Sequence, residues 1–233
     1  MKKLMVITSL VQGSLSLNVA VGADYPKPVY LPTQAIDLSQ ALSPPPRPGS
    51  KADQEDFKVI LRYQTVRTEA ECRRANHVVD VALSTLFGPE YGPLSEEEVR
   101  RWSAFFEKVR IDAEYFVQES KKMWGRPRPF SVNADIKPCV APESTHFTNA
   151  YPSGHAAIAR TFASLLSQID PARKAAFMAR ADEIGTDRVL AGVHHPTDIE
   201  SGKRLGDRIF QVLMKNANFK RELQLLLKKG GSL

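Results

Sequence analysis

Apolar residues recur three and four positions apart along most of the chain from residue 51 onward. This spacing places apolar side chains along one face of an α-helix, and it restricts the fold more than any other feature of the sequence. We find no convincing β-strand, because sustained alternation of apolar and polar residues is missing. The chain is therefore expected to form an all-α, compact helical bundle with long irregular loops.

Start and stop signals divide this pattern into separate helices. Ser95 and Glu98 form a capping-box sequence at the start of one helix, and Gly125 is placed to end it. Gly88 and Pro89 end the helix before it. The predicted helices span residues 53–66, 68–87, 95–124 and 153–168, a further one with Asp170 as N-cap and Pro171 as first residue, and a final one from Pro196 to about Lys229.

The first 23 residues have the pattern of a secretory signal peptide. Lys2 and Lys3 precede a mildly apolar stretch, and the small residues Val21 and Ala23 precede Asp24, as at an A-x-A-like cleavage site. Polar residues within the stretch make a membrane anchor the weaker alternative. We expect a signal peptide at 1–23, a Pro-rich extended segment over the surface at 24–50, and one all-α domain at 51–233.

Charge and cysteine content fit an exported protein that binds small anions. The formal net charge is +6, of which Lys2 and Lys3 contribute two, so that +4 remains without the leader. A mild positive excess favours anionic partners, but no long basic run indicates a nucleic-acid partner. No other stretch is apolar enough to span a membrane, so a soluble periplasmic protein is expected. Cys72 and Cys139 favour one disulfide there, with two buried free thiols as the alternative.

The first of three chemically informative stretches is KKMWGRPRP. Lys121 and Arg128 lie seven positions apart, one at a helix end and one in a proline-stiffened turn. Taken alone, this stretch is explained as a cationic helix C-terminus. The turn opens a long loop, residues 126–152, and long loops of this kind are often functional. We assign no role to His146 in this loop.

The second stretch is YPSGHAA, with His155 in the first turn of a helix. A helix N-terminus presents unpaired N–H groups and a partial positive charge, so it suits an anion. Gly154 lets an anion approach the backbone closely, and Ser153 either caps the helix or donates to the anion. A capped helix followed by a surface histidine explains this stretch equally well on its own.

The third stretch is RVLAGVHHPTD. Pro196 keeps His195 extended and starts a helix with Asp198 in its first turn. Asp198 is placed to accept a hydrogen bond from Nδ1 of His194, which would leave Nε2 as a free nucleophile. His195 is expected to be an N-cap or a surface residue, and an ordinary capped turn is the alternative for the whole stretch.

Together the three stretches supply fixed cations, a helix N-terminus, a nucleophilic imidazole and a proton donor. These are the components of a phosphate pocket. Because fixed cations can supply the charge that a metal ion supplies elsewhere, no metal or other cofactor is expected.

The spacing of these residues resembles the three-part signature of the type 2 phosphatidic acid phosphatase superfamily. With a leader and no membrane span, the chain is most similar to the bacterial class A non-specific acid phosphatases. The resemblance implies the all-α fold shared by acid phosphatases and vanadium-dependent haloperoxidases, and it makes residues 51–233 the catalytic domain. The matching elements are Lys121-x6-Arg128-Pro129, Pro152-Ser153-Gly154-His155 and Arg188-x5-His194-x3-Asp198.

The resemblance also implies a role for each residue in the hydrolysis of small-molecule phosphate monoesters. His194 is expected to attack phosphorus and form a phosphohistidine, while Asp198 orients its ring. His155 is expected to protonate the leaving alcohol and then to activate water. The residues expected to bind the phosphate oxygens are Lys121, Arg128, Ser153, Gly154 and Arg188.

Two residues depart from the family pattern. Asp187 stands where serine is usual, and Ala156 stands where threonine is frequent. Because a carboxylate would repel phosphate, Asp187 is expected to point away from the site or to pair with an arginine. His77, an isolated histidine within a helix, is expected to be structural.

Other functions are compatible with the same residues. A vanadium-dependent haloperoxidase would use the same oxyanion pocket, although such enzymes are usually longer. An exported binding module for anionic polymers would require the motifs to be coincidental helix caps, and a lipid phosphatase would have to act on soluble lipid phosphates. The sequence leaves the preferred ester and the oligomeric state open, a homo-oligomer included.

Overall fold

The computed structural model describes residues 25–140 and 149–229. In these two ranges the chain forms ten α-helices and no β-strand, which confirms the expected all-α bundle. The predicted leader at 1–23 lies outside the described residues, and so does His146. Within the two ranges, none of the helices is both long and apolar enough to cross a membrane.

Local signals set the ends of several helices. Ser95 and Glu98 form the predicted capping box, and Gly125 ends that helix in the left-handed region, with φ of 59°. The ten helices are α1 (Leu38–Ala41), α2 (Lys51–Val66), α3 (Glu69–His77), α4 (Leu83–Phe87), α5 (Glu96–Trp124), α6 (Pro129–Val132), α7 (Gly154–Ile169), α8 (Lys174–Leu190), α9 (Pro196–Leu213) and α10 (Ala217–Lys229).

The single helix predicted over residues 68–87 is wrong, because a break separates α3 from α4. In the break, the Thr85 hydroxyl donates to the Asp80 carbonyl and accepts a hydrogen bond from the Ala82 amide at 3.1 Å. The Val78 carbonyl points to His155 and lies 2.8 Å from its Nε2. The Val78 side chain is itself buried in the core, so the apolar spacing continues across the break. The spacing alone therefore does not show that the helix is interrupted.

The single helix predicted from Pro196 to about Lys229 is also wrong, because it is two helices, α9 and α10. Asn216 lies between them, where its Oδ1 accepts a hydrogen bond from the Phe219 amide at 2.9 Å. Its Nδ2 donates to the Tyr30 carbonyl at 2.7 Å, which ties the turn to the N-terminal segment. At the start of α8, Asp170 caps a short 3₁₀ turn, Pro171–Arg173, rather than the α-helix itself.

The Pro-rich segment before α2 is anchored more firmly than an extended surface strand would be. It contains the one-turn helix α1, and its Leu31, Ile36 and Leu42 side chains are buried in the main core. The buried carboxylate of Asp112 in α5 accepts hydrogen bonds from the amides of Val29 and Leu31 at 2.7 and 2.8 Å. These backbone donors compensate a charge that burial alone would disfavour.

A disulfide joins Cys72 in α3 to Cys139, with the two Cα atoms 5.7 Å apart. It connects α3 to the segment that follows α6, two parts of the chain 67 positions apart in sequence. The bridge that the sequence favoured is therefore present.

Helices α7 and α9 pack unusually closely, and this contact positions the site. A Cβ atom at Gly202 would lie 2.5 Å from the Ser153 carbonyl, and one at Gly206 would lie 2.4 Å from the Ala157 carbonyl. Because only glycine permits this approach, the first turn of α9 reaches the N-terminus of α7. There the Ser153 amide donates to the Asp198 carbonyl at 3.0 Å.

Candidate active site

A cavity of about 90 Å³ collects residues from all three chemically informative stretches. Ser153 and Asp198 are fully buried behind the cavity wall. Ser153 precedes the lining residue Gly154, and Asp198 contacts the lining residue His194. The other six predicted site residues line the cavity: Lys121, Arg128, Gly154, His155, Arg188 and His194. The fold therefore brings the predicted residues to one place.

Helix ends supply the charged part of the wall. Lys121 lies in the last turn of α5, and Arg188 lies in the last turn of α8, where the helix dipole favours a positive charge. Arg128 is the N-cap residue of α6, and His155 is in the first turn of α7. Cations from two helix C-termini thus face the N-terminus of a third helix.

These cations are buried, and burial is the largest influence on their pKa values. Burial, together with repulsion from Arg128, lowers the pKa of Lys121 to about 7. Burial also lowers the pKa values of Arg128 and Arg188 to about 10. Because a bound anion would oppose these shifts, the cavity is built to favour anion binding.

The Arg188 side chain has donor capacity left over. Its Nη1 donates to the Ala75 carbonyl at 2.8 Å, while its buried Nε has no hydrogen-bond partner among the residues that the structure describes. A buried donor without a partner costs free energy, and an oxyanion would satisfy it. The Lys121 ammonium donates to the Asn149 carbonyl at 2.5 Å.

The N-terminus of α7 uses its two small residues differently. The Ser153 hydroxyl accepts a hydrogen bond from the Ala156 amide at 3.4 Å, so the structure places it as the helix cap. Gly154 lines the cavity, and a Cβ atom there would lie 3.2 Å from Val117 Cγ1. The glycine therefore keeps the backbone amide within reach of a small anion.

His194 is oriented by contacts at both ring nitrogens. Its Nδ1 lies 3.3 Å from Asp198 Oδ2, as predicted, but its Nε2 lies 2.6 Å from Nη1 of Arg128. The prediction of a free Nε2 is thus wrong, because a guanidinium group donates to it. Since that group can only donate, Nε2 carries the lone pair and Nδ1 carries the proton. Burial and the Arg128 charge hold the pKa of His194 well below its usual range, so the ring is neutral.

Asp198 is the centre of the hydrogen bonds beneath this ring. Its Oδ2 also accepts from the backbone amide of His195 at 2.8 Å and faces the Nδ1 of His195 at 3.0 Å. Burial opposes ionisation of Asp198, but hydrogen bonds from the two histidines outweigh it and hold the carboxyl pKa well below its usual range. His195 is the N-cap of α9, which confirms one of its two predicted positions, and it is buried against the Phe57 ring rather than exposed at the surface.

The His155 ring has one nitrogen committed to the fold. Its Nε2 lies 2.8 Å from the Val78 carbonyl, which can only accept, so Nε2 carries a proton. Nδ1 is consequently the atom that can exchange a proton with a ligand. Burial, and then the charge of Arg188, hold the pKa of His155 well below its usual range. A bound dianion would raise that pKa toward the range in which the ring is protonated.

Sequence reasoning missed Arg126, which holds the other side of Asp198. Its Nη1 donates to Asp198 Oδ1 at 2.8 Å, and its Nη2 donates to Asp56 at 2.9 Å and to Asp53 at 3.1 Å. Asp56 also accepts from the Thr197 amide at 3.1 Å, which joins α2 to the start of α9. The only signal for this network was a second arginine two positions before Arg128.

Two residues outside the cavity wall behave as expected. Asp187 is buried and accepts hydrogen bonds from Arg74 at 2.7 and 2.9 Å, which confirms the prediction that it pairs with an arginine. His77 lies beside Glu90, with its Nδ1 3.2 Å from the carboxylate. Both residues help to hold α3 in place rather than face the anion site.

Fold and site together define an all-α protein with a cavity lined by buried cationic side chains and a buried histidine–aspartate pair. Residues 111–221, just under half of the chain, match the PAP2 superfamily. The matched range contains every predicted site residue from Lys121 to Asp198.

Similar proteins extend over most of the chain. It is 26% identical to a non-specific acid phosphatase of Providencia stuartii over 82% of this chain and 80% of the relative. It is 26% identical to an acid phosphatase of Zymomonas mobilis over 81% of this chain and 73% of that one. A transmembrane PAP2 type phosphatidylglycerolphosphate phosphatase of Bacillus subtilis covers 75% of this chain and 89% of its own, with a TM-score of 0.48 and 20% identity.

Proposed function

We propose that this protein is an acid phosphatase that hydrolyses small phosphate monoesters through a phosphohistidine at His194. Phosphatase activity is supported by the superfamily and by relatives named as acid phosphatases along most of the chain. The observation that carries the proposal is the convergence of three buried cations, Lys121, Arg128 and Arg188, on a cavity that also contains the His194 ring. The comparisons give no support to a haloperoxidase.

In the first half-reaction, the Nε2 lone pair of His194 attacks phosphorus, and the bond from phosphorus to the ester oxygen breaks. For this the ring must exchange its contact with Arg128 for the substrate, and the guanidinium moves its hydrogen bond to a phosphate oxygen. The Nδ1–H of His194 stays on Asp198, which stabilises the positive charge that develops on the ring. Protonated His155 gives its Nδ1 proton to the leaving alcohol, while its Nε2–H stays on the Val78 carbonyl.

In the second half-reaction, neutral His155 takes a proton from water at Nδ1, and the water oxygen attacks phosphorus. The bond between Nε2 of His194 and phosphorus breaks, and orthophosphate leaves with both histidines restored. Charge builds on the equatorial oxygens in both steps, where the buried cations and the Gly154 amide stabilise it.

The direct test is a phosphate-release assay on the purified protein, with a panel of esters across pH, with and without chelator. We expect release at acidic pH that is unaffected by chelator and inhibited by vanadate, because vanadate resembles the five-coordinate transition state. An absence of release from every ester would contradict the proposal, and bromide oxidation in its place, with vanadate and peroxide, would indicate the haloperoxidase.

Anion affinity should depend on the charge of Lys121. Bound anion raises the Lys121 pKa from about 7, so binding takes up a proton and weakens as pH rises above that value. The added slope approaches about tenfold in affinity per pH unit for one proton. Calorimetric titration with sulfate, which stays a dianion throughout, measures it. In Lys121→Met this part of the slope should disappear, and equal slopes in both proteins would contradict the assignment.

We also propose that the protein is exported and acts in the periplasm after removal of residues 1–23. The Cys72–Cys139 disulfide supports an oxidising compartment. Osmotic-shock fractionation of cells that express the full chain tests this, together with N-terminal sequencing for a mature start at Asp24. Retention of the uncleaved chain in the spheroplast fraction would contradict it.

A further inference from the structure

The wall of the cavity carries one acidic side chain that the proposed reaction does not use. Glu114 is the only acidic residue among those that the structure describes as lining it. It lies on α5 seven residues before Lys121, or two helical turns, which is roughly 10 Å along the axis. The two side chains therefore line the same cavity from positions two turns apart on one helix.

The Glu114 carboxylate is held in position but is not neutralised. Its Oε1 accepts a hydrogen bond from Nε2 of Gln118 at 2.5 Å. Its Oε2 has no hydrogen-bond partner, and the carboxylate forms no ion pair, among the described parts of the chain. Burial is the larger effect and lowers the pKa of Lys121, whereas the negative charge of Glu114 raises it. Glu114 therefore acts electrostatically on a cation of the cavity. Glu114 thus offers a negative charge with a vacant acceptor atom.

The surroundings of Glu114 fit the alcohol part of an ester rather than its phosphate. The cavity that holds the cations and the carboxylate is also lined by apolar side chains: Val79, Val81, Val117 and Ile158. Glu114 also lines a second cavity of about 210 Å³ with Tyr25 and Tyr115, so there is room beyond the carboxylate. Arg110 borders this second cavity, but its guanidinium is bound to Glu107 by two hydrogen bonds of 2.7 and 2.8 Å.

We propose that Glu114 is a specificity determinant that selects phosphate monoesters whose alcohol carries an ammonium group and disfavours esters that carry a second anion. This inference rests on the proposed function. With the phosphate bound to the cations, a short alcohol lies along the apolar side chains, and its far end meets Glu114. An ammonium there gains a charge-assisted hydrogen bond to Oε2, whereas a carboxylate is repelled.

The test compares kcat/KM for three small esters at low ionic strength. Phosphoethanolamine carries an ammonium, 2-phosphoglycolate carries a carboxylate at similar length, and ethyl phosphate carries neither. We expect wild type to prefer phosphoethanolamine, and Glu114→Gln to lower the ratio of phosphoethanolamine to 2-phosphoglycolate by about tenfold, as loss of a charge interaction at such distances permits. Any loss of phosphate affinity through Lys121 affects all three esters alike and cancels in the ratio.

Glu119→Gln is the matched control, because Glu119 lies on the same helix but pairs with Lys122 at 2.7 Å and lines neither cavity. Its ratio should equal that of wild type. Glu114→Ala, which removes the carboxylate without an isosteric amide, should shift the ratio in the same direction as Glu114→Gln. Hydrolysis with an unchanged ratio in both Glu114 variants would overturn this inference alone. Hydrolysis of p-nitrophenyl phosphate but of none of the three esters would also overturn this inference alone, whereas a wild-type protein that hydrolyses no ester at all would overturn the proposed function and this inference with it.

Discussion

Replacement of His194 by alanine is expected to reduce phosphate release by about 10⁴-fold or more, because it removes the atom that we propose attacks phosphorus. The ring is almost fully buried, with contacts to Asp198 and Arg128, and water cannot reproduce its position. Steady-state release from p-nitrophenyl phosphate measures the loss, and circular dichroism checks that the variant is folded. His195→Gln alters the neighbouring ring and should cost far less activity. A His194→Ala protein that retains most of its activity would exclude His194 as the nucleophile.

The proposed phosphohistidine is expected to accumulate when the other histidine, His155, is replaced. With p-nitrophenyl phosphate, whose leaving group needs little protonation, His155→Ala should still form the phosphohistidine but lack the base that activates water. Mass spectrometry after a brief reaction should then find phosphate on the peptide that contains residue 194. Phosphate on another residue, or a variant that turns over at the wild-type rate, would count against the division of roles between the two histidines.

Replacement of Arg126 by methionine is expected to destabilise the folded protein by about 3–5 kcal/mol, because it leaves buried carboxylates without their cation. Asp198 and Asp56 are 0% and 3% exposed, and both accept hydrogen bonds from Arg126. Urea unfolding at neutral pH measures the loss as a lower transition midpoint. As pH falls below about 4, the usual carboxyl pKa, a buried carboxyl that lacks Arg126 takes up a proton before it does so in wild type, so the difference from wild type should shrink.

A matched control separates burial from the simple loss of an arginine. Arg100 is exposed and pairs with Glu96 one turn away on the same helix, at 3.5 Å. Arg100→Met should change the free energy of unfolding by no more than about 0.5 kcal/mol. If Arg126→Met were equally mild, the network around Asp198 would not hold the start of α9 in place.

Much of this protein could be predicted from short segments of its sequence. The capping box of Ser95 and Glu98, the terminal glycine of α5 and the start of α7 at Ser153 depend on hydrogen bonds that close within a few residues. The motif residues could likewise be selected, because their chemistry and spacing are visible without a fold. Local interactions such as these are the same wherever the segment lies in the molecule.

The breaks in the predicted helices depended on distant partners instead. Apolar spacing continues through Val78 and through the turn at Asn216. It therefore gives no sign that the Val78 carbonyl contacts His155, or that the Asn216 side-chain amide donates to the Tyr30 carbonyl. A helix that is interrupted can still bury the same apolar face. Tertiary contacts therefore overrode local propensity at these two points.

The sequence by itself determined the all-α class, the ends of several helices and which motif residues meet at the cavity. Only the tertiary structure decided that Arg128 occupies Nε2 of His194, that His195 is buried, and that Arg126 joins Asp198 to α2. These partners come from segments that are distant along the chain. The contacts between these charged groups depend on the close packing of α7 against α9 at Gly202 and Gly206. The free energy of that packing comes from many residues, so no single segment of the sequence contains it.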